Sequence, residues 1–206
     1  MIGIIDYGLG NIDAFLNIYK RLHISAKSLK TPKDFEGIKK LILPGVGAFD
    51  HAMESFKNSG MIEIVHHKVL DEKMPIIGIC VGMQMLANSS DEGKLPGLGW
   101  IGGQVKRFDE NKIPFVTRLP HMGWNDVELN TNSCIFQEFP DNPKFYFLHS
   151  YYFDCTNNED CIARADYGGT FCCAVNKDNI YGVQFHPEKS HHFGVKLLEN
   201  FSKKLC

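Results

Sequence analysis

The 206-residue chain has no apolar run approaching the length of a membrane span and no block of basic residues. The first absence argues against a transmembrane helix, which needs roughly 20 consecutive apolar residues. The second, with a formal net charge of −2, withholds the electrostatic footprint of a nucleic-acid binder. Nor is there an internal repeat, a low-complexity tract or a Pro/Ser-rich linker to mark off a second unit. One domain over residues 1–206 is expected, long enough to bury a core without staples. The opening residues, Met1-Ile2-Gly3-Ile4-Ile5-Asp6, lack the basic flank and small-residue cleavage site of a signal peptide and read as a first strand.

Cysteine is present but not in the patterns that bind metal or staple a fold. Cys80, Cys134, Cys155, Cys161, Cys172, Cys173 and Cys206 are odd in number and form no C-x-x-C, and the adjacent pair Cys172-Cys173 suits neither a disulfide framework nor a zinc knuckle. A reducing, cytoplasmic setting is expected. His66-His67 and His191-His192 lack the H-E-x-x-H spacing that places two ligands on one helix face, so neither a metal nor another cofactor is expected.

What is there begins with alternation. Ile2 to Ile5 reads as a buried strand, Asn11 to Leu22 as a helix, Leu41 to Leu43 as a strand, Met53 to Leu70 as helical, and Ile76 to Ile79 as a further strand. That order predicts an α/β, flavodoxin-like three-layer fold, with a parallel central sheet and helices on both faces. Beyond Leu95 come a glycine-rich stretch and short aromatic strand candidates around Phe115, Val127, Tyr146 and Phe171, then a closing helix from Phe193 to Lys204. These predict an antiparallel extension. Three small-residue turns follow the first strands: Tyr7 to Asn11, Pro44 to Gly47, and Gly78 to Gly82. Ligands of parallel sheets gather at such strand ends.

Cys80 stands between Gly78 and Gly82 where a buried strand passes into a helix. That is the layout of a nucleophile elbow, and a following helix N-terminus would favour thiolate over thiol. Far along the chain, Gln184-Phe185-His186-Pro187-Glu188 sets a histidine and a carboxylate two residues apart after another apolar run. His186 would serve as base and Glu188 would orient it, giving a Cys-His-Glu nucleophilic site. Each residue alone has a plainer reading as core.

Taken together, the strings Asp6 to Asn11, Pro44-Gly45-Val46-Gly47-Ala48-Phe49, Gly78-Ile79-Cys80-Val81-Gly82-Met83-Gln84, Gly97-Leu98-Gly99, His121-Met122-Gly123-Trp124-Asn125, His149-Ser150-Tyr151 and His186-Pro187-Glu188-Lys189-Ser190 resemble the class I glutamine amidotransferases. Within them, the chain is similar to glutaminase subunits of imidazole glycerol phosphate synthase. The resemblance implies hydrolysis of L-glutamine to glutamate and ammonia by Cys80, His186 and Glu188, with the ammonia passed to a barrel-type cyclase (synthase) subunit in a heterodimer of histidine biosynthesis. It implies an oxyanion strand at Pro44, Gly45, Val46 and Gly47, glutamine held by Gln84, His149, Ser150 and Tyr151, and a partner interface near Asn11, Trp124, Asn125 and Lys189. Val81 and the run His191-His192-Phe193-Gly194 depart from the usual pattern. The second departure leaves open an ammonia supplier to a sugar amidotransferase that makes acetamidino sugars for surface polysaccharide. A DJ-1-like cysteine hydrolase would need neither Gln84 nor Glu188, and a catalytically silent partner-binding subunit would need none of the three reactive residues.

Overall fold

The structure, a computed structural model, describes residues 1–129 and 133–204; Cys206, named above, lies outside them. The first half runs β1 (Ile2–Ile5), α1 (Ile12–Arg21), β2 (Ala26–Leu29), β3 (Lys40–Gly45), α2 (Phe49–Asn58), α3 (Ile62–His66), β4 (Ile76–Cys80) and the one-turn α4 (Val81–Gln84). The remainder adds β5 (Ser89–Ser90), β6 (Gly103–Arg107), β7 (His121–Asp126), β8 (Glu128–Leu129), β9 (Lys144–His149), β10 (Tyr151–Cys155), β11 (Cys161–Asp166), β12 (Thr170–Lys177), β13 (Ile180–Val183) and α5 (His191–Lys203).

Strands β2, β1, β3, β4 and β13 lie side by side, all parallel. β1, β4 and β13 are buried along their whole length, which is why they read as unbroken apolar runs rather than alternations. β12, β10 and β6 continue the sheet in antiparallel fashion. The parallel core and the antiparallel extension are both as the sequence predicts. A separate two-stranded ribbon, β7 with β9, packs the rings of His121, Phe147 and His149 against Phe171 of β12.

Helix α1 buries Phe15, Ile18 and Tyr19, an i, i+3, i+4 stripe. Its N-terminus is capped by Asn11, whose Oδ1 accepts from the Ala14 amide at 3.3 Å. The predicted single helix from Met53 to Leu70 is instead divided. α2 ends at Asn58 and Gly60 adopts φ 71°, a left-handed stop that a glycine supplies at little cost. β2 carries no strong strand signal because it is a half-buried edge of four residues. Phe115 is not in a strand. It lies 56% exposed between two prolines, its ring stacked on Tyr167. Val127 falls in the break between β7 and β8, while Tyr146 and Phe171 do sit in strands.

Pro44 and Gly45 are the last residues of β3 and not part of a turn. Their strand lies so close to the residues after β4 that side chains are excluded there. A Cβ on Gly82 would stand 2.0 Å from the Leu43 carbonyl oxygen, and one on Gly45 would stand 2.3 Å from the Gly82 nitrogen. Gly82→Ala is therefore expected to destabilise the protein by about 1–3 kcal/mol, the usual range for overpacking. Urea unfolding checks this, and a variant as stable as wild type would show that the two segments are not packed as described.

Candidate active site

β3 and β4 end in register, Gly45 opposite Cys80. At Cys80 the backbone turns through φ 55°, ψ −113°, a region disfavoured for a residue bearing a Cβ. Such a residue persists only when its surroundings over-determine it. Gly78 and Gly82 provide that by letting the turn close on itself, since a Cβ on Gly78 would meet the Gly82 carbonyl at 2.5 Å. The helix that follows is a single turn, so the dipole expected to favour thiolate is small. The charge partner is His186.

His186 and Glu188 follow β13, the strand beside β4. The His186 Nδ1 to Glu188 Oε1 distance is 2.8 Å, with both side chains about 95% buried (5% and 4% exposed). A carboxylate oxygen can only accept, so Nδ1 carries hydrogen and Nε2 is the nitrogen left to serve the cavity that His186 shares with Cys80. Burial pulls the imidazole pKa down, but hydrogen bonding and charge from Cys80 and Glu188 outweigh it and push His186 up to about 10. Ser190 holds this segment in place. Its Oγ donates to the His186 carbonyl at 2.6 Å and accepts from the Tyr146 amide at 3.0 Å.

Cys80 and His186 open onto a cavity of about 320 Å³ that is also lined by Val46, Gly47, Gln84, His149, Ser150 and Tyr151, with Lys189 and Glu92 among its remaining neighbours. The structure thus brings together the residues assigned to reaction, glutamine binding and the outer half of the oxyanion strand. Gln84 donates to the Tyr151 carbonyl at 3.2 Å and to Gln184 Oε1 at 3.0 Å. With both amide hydrogens engaged, Gln84 can meet a ligand only as an acceptor. The ring of His149 is bonded at both nitrogens, to the Tyr151 carbonyl and to His121, which leaves neither for a ligand. Gly47 takes φ 84° with open space where a Cβ would sit.

Sequence reasoning passed over three contributors. Gln184 Nε2 lies 3.7 Å from the Cys80 sulfur; its signal was adjacency to the His-Pro-Glu string. Tyr7 donates to the Pro44 carbonyl at 2.7 Å and so ties the first strand end to the third. Burial, then the charge of Cys80, raise its pKa, so it stays a donor. Glu92 accepts from the Phe49 amide at 2.8 Å at the start of α2, and nothing local marks it.

The residues assigned to an interface do not form one cluster. Trp124 is 46% exposed, stacked on His191 and set edge-on to Tyr146, over whose ring the exposed Lys189 ammonium lies. Of these, Lys189 also lines the cavity beside Cys80 and His186. Asn125 turns its amide inward, to His121 and the Asp166 carbonyl. Asn11 lines a separate cleft beside Asp6, next to a Gly10 that packs on Pro44.

The glutamine amidotransferase class-I family model matches residues 4–205, and the chain belongs to that family. Within it, the chain is 56% identical over 205 residues to the imidazole glycerol phosphate synthase subunit HisH of Bdellovibrio bacteriovorus, covering 98% of this chain and 100% of the relative. It is 49% identical to the subunit HisH of Leptospira borgpetersenii (98% and 99% covered) and 46% identical to HisH 2 of Methanococcus maripaludis (99% and 100%). Among solved structures, a GMP synthase subunit protein of Thermoplasma acidophilum superposes with a TM-score of 0.70 at 22% identity, over 97% of this chain and 90% of the other. A glutamine amidotransferase of Thermotoga maritima gives 0.63 at 20% identity, over 97% and 81%. These two likenesses concern the fold.

A glutamine-mimicking diazoketone is expected to label Cys80 before Cys161. The neighbouring Cys155, then Cys172, lower the Cys161 thiol pKa, so Cys161 is the competitor for reaction, but it lacks the cavity. Burial raises Cys172 and Cys173 out of contention. Peptide mass mapping decides, and labelling of Cys161 first would contradict the assignment. A second expectation follows from His186. Its raised pKa contributes stability that is complete below the unfolded value near 6.5 and is lost as pH rises through about 10. Wild type should therefore lose more stability than Glu188→Gln between pH 6 and pH 9 in urea unfolding, and parallel losses would argue against the shift.

Proposed function

We propose that this chain is the glutaminase subunit of an imidazole glycerol phosphate synthase. It acts as one glutamine amidotransferase domain that hydrolyses L-glutamine and hands ammonia to a barrel-type cyclase subunit in a cytoplasmic heterodimer. The observation that carries the reading is the buried His186–Glu188 pair at 2.8 Å, whose histidine shares a cavity with Cys80 at a strained strand end. The names of the full-length relatives favour this partner over a sugar amidotransferase, and the engaged Glu188 and Gln84 weigh against a DJ-1-like hydrolase. Among the described residues, no helix is long and apolar enough to cross a membrane.

The chemistry follows from the geometry. Cys80, as thiolate beside protonated His186, adds to the side-chain amide carbon of glutamine, and negative charge develops on the amide oxygen. Backbone N–H groups of the Gly45 to Gly47 segment are the donors for that oxyanion. His186 then gives its proton to the departing nitrogen, so that ammonia leaves and a thioester remains. Water attacks the thioester with His186 as base, Cys80 leaves as thiolate and glutamate is released. Glu188 keeps Nδ1 protonated and the ring aimed throughout. Free ammonia protonates in neutral water and loses its nucleophilicity, so delivery requires the cavity mouth to abut the acceptor's site. The Trp124, Tyr146 and Lys189 patch at that mouth suits such a contact, because large flat side chains fill partner pockets. Gly47, unhindered and at positive φ, is the point where the oxyanion segment can reorient when the partner binds.

In the complex with a cyclase subunit, Cys80→Ser is expected to lower glutamine-dependent synthesis by roughly 10³-fold or more while ammonium salts sustain synthesis at the wild-type rate. The isolated chain should hydrolyse glutamine about 10²- to 10³-fold more slowly than the complex, the loss that one missing oxyanion donor causes. Trp124→Ala and Lys189→Ala should weaken binding or stimulation without changing the melting temperature by more than a few degrees. Coupled activity assays and titration calorimetry check these outcomes. A lone chain of full activity, indifferent to both substitutions, would mean a stand-alone glutaminase.

A further inference from the structure

The steps proposed above leave two buried histidines unused. His121 and His149 are 3% and 6% exposed, and their hydrogen bonds can be read in only one direction. The Tyr151 carbonyl can only accept, so His149 Nδ1, 2.7 Å away, carries hydrogen. In a neutral ring Nε2 is then bare. His121 Nδ1 lies 3.0 Å from that bare nitrogen and must be the donor, which in turn bares His121 Nε2 to accept from Asn125 Nδ2 at 3.2 Å. Both rings are held neutral. Burial brings His121 down to about 4, and burial followed by the neighbouring His121 brings His149 down to about 3. His121 is also wedged between Phe147, with ring centroids 4.7 Å apart, and Tyr167, at 4.0 Å, both nearly parallel to it, so its ring cannot turn over in place.

The Tyr151 carbonyl has a second lone pair, and it accepts from Gln84 at 3.2 Å. The other Gln84 hydrogen goes to Gln184 Oε1 at 3.0 Å, and Gln184 Nε2 faces the Cys80 sulfur at 3.7 Å. We propose that His121 and His149 are positioning residues for the glutamine pocket, forming with Asn125 a hydrogen-bond chain of fixed tautomers that reaches the nucleophile through Tyr151, Gln84 and Gln184. The proposal rests on the glutaminase reading above. It gives a role to the His121 to Asn125 string, which has no part in the hydrolytic steps. The chain's outer end, Asn125, is half-exposed, is also bonded to the Asp166 carbonyl at 2.8 Å, and adjoins the exposed Trp124. Donor direction is fixed from Asn125 through both rings to the Tyr151 carbonyl, which accepts from His149 and from Gln84 alike; beyond that carbonyl the chain acts by position, because a misaimed His149 shifts the acceptor that holds the Gln84 amide.

Two measurements on the full-length chain test this. Long-range ¹H–¹⁵N correlation spectra of ¹⁵N-histidine-labelled wild type at pH 7 should find His121 and His149 both as neutral Nδ1–H tautomers; either ring as the Nε2–H tautomer would overturn the chain. Labelling of Cys80 is then timed with the glutamine-mimicking diazoketone and, separately, with iodoacetamide, which needs no pocket. His121→Phe keeps the ring stacks but removes the donor to His149. It should slow the diazoketone about tenfold, the scale on which a buried acceptor left unsatisfied is felt, and iodoacetamide less than about twofold. His121→Asn, whose amide nitrogen can stand in for Nδ1, should recover the diazoketone rate to within about threefold of wild type. Equal diazoketone rates in wild type and His121→Phe, parallel slowing of both reagents, or no recovery in His121→Asn would each overturn the proposal. If circular dichroism finds His121→Phe unfolded, the tautomer spectra and the His121→Asn rate decide. Wild type that the mimic fails to label at Cys80 would instead overturn the glutaminase reading, and this proposal with it.

Discussion

The structure turns on the contact between two backbone segments, the end of β3 and the turn after β4. Leu43 to Gly45 and Cys80 to Gly82 approach to distances that no Cβ could share, and the approach forces Cys80 into its positive φ. Backbone strain of this kind costs about 1–3 kcal/mol per residue and must be offset by surrounding packing. Here that packing is the fully buried parallel core on either side of β4. The same contact lines up the segment from Gly45 to Gly47, proposed to hold the oxyanion, with Cys80, because Gly45 and Cys80 are register partners. Tyr7 extends the arrangement to the first strand by holding the Pro44 carbonyl.

Burial acts on three histidines near this point and yields two opposite outcomes. All three are desolvated, which disfavours the imidazolium. His121 and His149 face no carboxylate or thiol; at His149 the bond to the Tyr151 carbonyl opposes desolvation without overcoming it, and both rings stay neutral. His186 faces a carboxylate and a thiol, so hydrogen bonding and charge reverse the sign. A buried pair of this kind is weak support for stability, since desolvation consumes much of its attraction. In the proposed reaction its value lies in holding a proton within reach of the departing amide nitrogen.

Much of this was legible in the chain. Apolar runs bounded by small residues marked β1, β3, β4 and β13, because strands buried on both faces leave no polar positions to blur them. The Cys80 elbow and the His-Pro-Glu string were legible because each packs its chemistry into a few consecutive residues. Less legible were β2, a half-buried edge with a weak pattern, and the division between α2 and α3, where Gly60 acts through a single backbone angle. Phe115 carried strand propensity but sits between prolines on the surface, where stacking on Tyr167 satisfies it without a ladder.

The sequence by itself determined the kinds of chemistry available: one thiol at an elbow, one His–Glu pair on a short leash, glycines where the backbone must close up. Local spacing suffices for these because each is governed by neighbours within a few positions along the chain. Only the tertiary structure decided that Gln184 stands between Gln84 and the sulfur, that Tyr7 serves Pro44, and that His149 turns its nitrogens to Tyr151 and His121 and not to the cavity. Those pairings join residues 28 to 104 positions apart or depend on which way a ring faces. They are set by sheet order and by the cost of leaving a buried donor without an acceptor, and no linear pattern records either.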